Sequence, residues 1–137
     1  MKNTFGVIVG NRGFFPDELA RQGREDILAL LKKLGYGAVC LTPQDSKFGS
    51  VETREDAKKC AALFRKNADK IDGIIITLPN FGEERGMAEA LRMADLGCPV
   101  LIQATPDDPK AADITKRRDS FCGKISLTNN LLQYGIP

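Results

Sequence analysis

Two glycine-bearing segments carry the residue types from which a small-ligand site can be built. In Gly10-Asn11-Arg12-Gly13-Phe14-Phe15 an arginine stands close to glycines on either side. A phosphate cradle is the first chemistry to consider, but the segment is not Gly-x-Gly-x-x-Gly and lacks the Lys-Ser/Thr ending of a nucleotide loop. Asp17 and Glu18 also place negative charge where a phosphate would sit. Arg12 is instead a candidate hydrogen-bond donor to a hydroxyl-rich or anionic ligand, set against the alternative of a solvated or ion-paired side chain. Leu78-Pro79-Asn80-Phe81-Gly82-Glu83-Glu84 brings together an amide, an aromatic ring and two carboxylates. Sugar faces stack on aromatic rings and sugar hydroxyls bond to amides, so Asn80 and Phe81 are candidates to serve a carbohydrate. Glu83 and Glu84 read first as residues that complement a helix N-terminus.

Other polar groups read as structural. Asp107-Asp108 could pair as acid and base or hold a hard metal, but Pro106 and Pro109 bracket them, which favours turn formation. Arg117-Arg118-Asp119 reads as a solvated charge run. The chain has no histidine, which removes the default proton shuttle and the commonest metal ligand. Cys40, Cys60, Cys98 and Cys122 form no Cys-x-x-Cys pair and read as reduced, buried thiols of a cytoplasmic protein, Cys122 included. No residue is assigned a catalytic or metal-ligating role.

The elements that must position these residues alternate between short β-rich runs and helix-length segments. The runs are Phe5 to Val9, Ala38 to Leu41, Ile74 to Ile76 and Val100 to Ile102. The first helix follows Pro16, buries Ala20, Ile27, Leu31 and Leu34 with Leu30 alongside, and stops at Gly35. Thr53 and Asp56 resemble a capping box opening a second helix, with Ala57, Cys60, Ala61, Phe64 and Ala68 on one face. A third helix spans about Glu84 to Leu96, and a fourth about Phe121 to Tyr134 after a turn around Ile114 to Arg118. The unbroken apolar run at Ile74 is that of a parallel strand covered on both faces.

This order implies a three-layer, Rossmann- or flavodoxin-like α/β domain over residues 1–137, with a parallel sheet of at least four strands in the order 2-1-3-4. All strand-to-helix loops then meet at the carboxyl edge of the sheet, where open α/β sheets bind ligands. The helix-stop punctuation Leu96-Gly97-Cys98-Pro99 leads into a strand, and Tyr134-Gly135-Ile136-Pro137 repeats it at the end of the chain. A fifth β-run is expected beyond it.

The chain has 137 residues, 42% hydrophobic and 28% charged, fitting one globular core. Its 20 basic and 18 acidic side chains, net +2, are too balanced for a nucleic-acid footprint. No apolar run approaches the ~18 residues of a membrane span, and no signal-peptide segment precedes the first strand.

Taken together, five motifs in order carry a family resemblance. They are Gly10 to Phe15, Thr42-Pro43 with Lys47-Phe48-Gly49, Thr77 to Gly82, Gln103 to Asp107, and Arg118-Asp119-Ser120-Phe121-Cys122-Gly123. Over essentially the whole chain they resemble the N-terminal domain of the L-fucose isomerase and L-arabinose isomerase superfamily. The resemblance implies the N-terminal part of a longer, oligomeric, manganese-dependent aldose–ketose isomerase. Its metal ligands, two acidic residues and a histidine, belong to later domains, and its first domain lends residues to the sugar pocket of a neighbouring subunit. Arg12 matches the first-loop arginine and Phe81 falls near a tryptophan position. By the same resemblance the chain is a substrate-capping and oligomerisation domain, inactive alone, whose partners are a sugar and the remaining domains and subunits. The alternative from another class is a free-standing flavodoxin-like module binding a small ligand or signalling partner.

Overall fold

The structure, a computed structural model, describes residues 2–111 and 113–137. Four parallel strands, β1 (Thr4–Val9), β2 (Gly37–Cys40), β3 (Gly73–Leu78) and β4 (Val100–Ala104), form one sheet in the order β2-β1-β3-β4. Four helices connect or follow them: α1 (Asp17–Leu34), α2 (Arg54–Lys66), α3 (Glu84–Ala94) and α4 (Ser120–Gln133). The α/β class and strand order expected from the sequence are those observed. The register is continuous across the sheet, with Val7 beside Ile75 and Ile75 beside Leu101.

Period-two alternation divides the strands between two cores. Ile8, Ile74, Ile76 and Leu78 face Phe64 of α2, Met87 and Leu91 of α3, and Leu127 and Leu131 of α4. Val7, Val9 and Ile75 face Ala20 and Leu31 of α1. One face of the sheet therefore carries three helices and the other carries one. All six residues of β3 are buried, as its unbroken apolar run predicts.

Helix ends follow local chemistry. Thr53 Oγ1 accepts from the Asp56 N–H at 3.1 Å while the Asp56 carboxylate accepts from the Thr53 N–H at 2.9 Å, a complete capping box at the start of α2. Gly35, at φ 78°, closes α1. α3 ends two residues earlier than expected, because Asp95 takes the left-handed conformation ahead of Gly97.

Three expectations about burial are corrected. Leu30 and Leu34 stand half-exposed, because α1 alone covers its face of the sheet and Leu30 borders the uncovered flank beside β4. Ala68 lies beyond the end of α2 at Lys66 and is exposed. Of the four thiols expected to be buried only Cys60 is, with Cys40 and Cys98 half-buried and Cys122, in the first turn of α4, exposed. Burial pushes the thiols of Cys40, Cys60 and Cys98 upward, so none of the three is prepared as a thiolate.

Thr53→Ala removes the cap of α2 without touching the core. It is expected to cost about 1 kcal/mol, read as a lower urea midpoint with an unchanged slope.

Candidate functional site

The carboxyl ends of β1 and β3 are adjacent, and strand order reverses between them, so their loops part and leave a crevice. The Gly10 N–H donates to the Thr77 carbonyl at 2.9 Å, and Gly10 bridges to Val51 ahead of α2. Three loops are thus in register before any side chain acts.

A buried relay then fixes them. Asn11 and Asn80 are both 0% exposed. Asn80 Nδ2 donates to Asn11 Oδ1 at 2.7 Å, and Asn80 Oδ1 accepts from the Gly82 N–H at 3.0 Å. Asn11 Nδ2 donates to Glu52 at 3.0 Å and to Asp17 at 3.1 Å. Lys47 pairs with Asp17 at 2.6 Å, bringing in the loop after β2. Desolvation raises the Asp17 pKa, but the hydrogen bonds from Lys47 and Asn11 outweigh it and hold the carboxyl below its ordinary range.

The fourth loop is tied in through backbone. Asp107 accepts from the Arg118 N–H at 2.7 Å and the Asp119 N–H at 3.1 Å, and Arg118 Nη1 donates to the Pro79 carbonyl at 2.8 Å. Asp108 closes its turn by accepting from the Lys110 N–H at 2.9 Å. The two aspartates are therefore a brace and a turn former, each bonded to backbone N–H groups. Pro79 lies against Gly23 of α1, and the Phe81 carbonyl lies against Gly123 of α4. A Cβ at either glycine would collide with the loop, so only glycine admits this approach.

What the frame displays is a groove of about 310 Å³ lined by Arg12, Phe14, Phe15, Phe81, Ile114, Arg117 and Asp119. The Arg12 guanidinium lies 4.8 Å from the centroid of the Phe81 ring and 5.6 Å from that of Phe14. Glu84 holds it at 3.2 Å and Glu83 at 3.7 Å. Phe15 packs on Phe81 with centroids 6.0 Å apart. Arg117 pairs with Asp119 at 2.7 Å. A flat aromatic wall beside a planar, partly exposed donor can take one face of a polar ring and bond to hydroxyls at its edge. A neighbouring hollow of about 340 Å³, lined by Glu52, Arg54, Glu83, Arg85 and Glu89, has no aromatic wall.

Of the three residues assigned to ligand, Arg12 and Phe81 meet on this wall, and Asn80 does not. Its side chain is buried and bonded to Asn11 and Gly82, so it positions the Phe81 loop from beneath. Glu83 and Glu84 stand at the start of α3 as expected, and they also orient Arg12. The Arg117 to Asp119 run is no free charge run, since Arg118 is bonded inward and Arg117 and Asp119 border the groove. Sequence reasoning missed Phe14, Phe15, Ile114, Arg117 and Asp119 as lining residues and Asn11 as the relay. The one available signal was an asparagine inside the arginine loop facing another asparagine after the central strand.

No group of three or more His, Cys, Asp and Glu side chains among the described residues converges to hold a metal ion. The carboxylates nearest the groove are engaged by Arg12 and Arg117. These residues do not fit a manganese site. No described helix is long and apolar enough to cross a membrane.

Asn80→Ala orphans the Asn11 Oδ1 and the Gly82 N–H, with an expected cost of about 1–3 kcal/mol for each buried group. Chemical denaturation reads the loss. Because the folded-state pKa of Asp17 is depressed, its contribution is present above the ordinary value of 3.8 and disappears as pH falls through the folded value. Asp17→Asn is accordingly expected to flatten the acid limb of a melting-temperature profile below about pH 4.

The family model described as Fucose/sulfoquinovose isomerase, N-terminal domain, matches residues 6–137. Comparison with curated proteins and with solved structures gives no match. The chain leaves β1 through Gly10-Asn11-Arg12 and leaves β3 through Leu78-Pro79-Asn80, segments that lack the acidic pair and phosphoacceptor aspartate of a signalling receiver. On the extent of the family match, the chain belongs to the N-terminal domain family of the fucose/sulfoquinovose isomerases.

Proposed function

We propose that this domain caps the substrate of an aldose–ketose isomerase and takes part in its assembly. The observation that carries the reading is the Arg12 guanidinium set on the Phe81 ring at the strand-order reversal of the sheet. Arg12 donates to sugar hydroxyls, its fork of N–H groups matching vicinal oxygens. Phe14, 80% exposed beside Arg12, and the part of Phe81 that Arg12 leaves open receive the apolar face of the sugar. Glu83 and Glu84 hold Arg12 at the wall before the sugar arrives, which reduces the ordering needed on binding.

Isomerisation moves a proton between adjacent carbons through an enediol, which requires a base and an electrophile at the reacting carbons. Asp119, the carboxylate lining the groove, is paired with Arg117, and no imidazole exists in the chain. The acid–base groups, and the manganese ion that the family reading implies, therefore belong to polypeptide outside these residues. In this reading the domain works in the cytoplasm as the N-terminal part of a longer enzyme and contributes affinity and water exclusion rather than proton transfer.

Titration of the isotope-labelled chain with aldoses and ketoses is expected to shift backbone signals at residues 10–15 and 80–84 without converting the sugar. Arg12→Ala should weaken that binding about tenfold, the value of a charge-assisted hydrogen bond. In an assembled isomerase the same substitution should impair turnover. Signals that ignore every sugar, or kinetics unchanged by Arg12→Ala, reject the proposal.

A further inference from the structure

Two separate parts of the chain border the groove. Arg12, Phe14 and Phe81 come from the loops after β1 and β3, and Ile114, Arg117 and Asp119 from the segment that enters α4. The separation of these two walls is governed behind the groove, where the first turns of α4 meet the backbone of the Phe81 loop.

Gly123 lies on the buried face of α4, between Ser120 and Leu127. A Cβ placed there would stand 2.7 Å from the Phe81 carbonyl carbon and 2.8 Å from the Phe81 Cα, with the carbonyl oxygen closer still, against an ordinary contact of about 3.4 Å. These are main-chain atoms, which no change of rotamer moves aside. The loop cannot simply retreat either, because Asn80 is bonded to Asn11 and the Gly82 N–H to Asn80, so the residues on both sides of Phe81 are held. Arg118 draws the two parts together, its Nη1 donating to the Pro79 carbonyl at 2.8 Å. Gly123 thus sets how near α4 can come, and Arg118 keeps it there.

Glycine is a poor helix former, and not every helical glycine here is required by its surroundings. At Gly86 in α3 a Cβ would meet nothing nearer than 3.4 Å, so alanine fits there without displacing a neighbour. At Gly123 it does not.

We propose that Gly123 determines specificity: the missing side chain keeps the groove narrow, and that width decides the size of sugar the groove accepts. Gly123 touches no sugar and acts through the Phe81 backbone, so it is a positioning residue. Any side chain at 123 must part the first turns of α4 from the Phe81 loop. With the loop pinned by the buried amides, the side that yields is α4, which carries Arg117 and Asp119 away from Phe81 while Arg12 keeps its place. A small ring then loses contact with one wall, and a ring bearing an added hydroxymethyl group gains room. One carbon more or less in a fitted pocket changes discrimination by roughly tenfold or more.

The inference rests on the sugar-binding half of the proposed function and refines it. The test titrates xylose with glucose, arabinose with galactose and lyxose with mannose, each pair differing by one hydroxymethyl group, into the unmodified chain and its variants. For whichever pair binds, the ratio of pentose to hexose affinity is expected to fall about tenfold in Gly123→Ala. Arg118→Ala, which releases the tie without adding an atom to α4, should lower the ratio in the same direction, and it carries the test if the glycine variant does not fold. Gly86→Ala should leave the ratio unchanged. A merely structural role would weaken both members of a pair together and leave their ratio alone. An unmodified chain that binds none of the six sugars overturns the sugar reading and this inference with it. If the unmodified chain binds and the ratio is unchanged or raised in folded Gly123→Ala or Arg118→Ala, this inference alone is overturned.

Discussion

The hydrogen bond between two buried side-chain amides, Asn80 to Asn11, is the contact on which the rim of this domain depends. The two residues are 69 positions apart in sequence and meet at 2.7 Å with no access to water. A buried amide left unbonded is costly, so each asparagine is tolerable only while the other is in place and while Gly82, Glu52 and Asp17 complete the network. That mutual dependence converts loops, ordinarily the loosest parts of an α/β domain, into a frame with one arrangement. Arg12 and Phe81 follow these asparagines directly in sequence, and their meeting is a consequence of the amide contact beneath them.

The carboxylates at the start of α3 serve two needs with one placement. Glu83 and Glu84 lie where the partial positive charge of a helix N-terminus favours an anion. From the same positions they reach Arg12, whose guanidinium rests on an aromatic face. The arginine is thereby held between a ring and two carboxylates while remaining partly exposed to the groove. A guanidinium held in this way has little rotamer freedom left to lose when a ligand arrives.

Much of the frame was legible in the sequence because it is written in short-range chemistry. The capping box at Thr53 and Asp56, the left-handed stop at Gly35 and the unbroken apolar run at Ile74 each have a local physical cause, and each stands where it was read. Strand order followed from the alternation of elements. The roles of polar residues were less accessible, because they depend on which way a side chain faces once the sheet has formed. Asn80 and Phe81 are neighbours, yet one points into the frame and the other onto the groove, and no periodicity operates in a loop to tell them apart. Cys122 was misread for a related reason. α4 carries apolar residues on both faces, so composition alone could not say which side is inward. Arg118 looked like surface charge because its acceptor is a main-chain carbonyl 39 residues away, to which side-chain patterning is blind.

The separation between buried frame and displayed wall bears on how such a domain changes over generations. Asn11, Pro79, Asn80, Gly23 and Gly123 are locked by close approach or by buried bonding, and drift at any of them would disturb the whole rim. Phe14, Phe81, Ile114 and Arg117 hang from that rim with few obligations to the core. Their identities can be exchanged one at a time while the scaffold stays folded, which leaves the surface displayed at the groove free to vary without disturbing the frame that carries it.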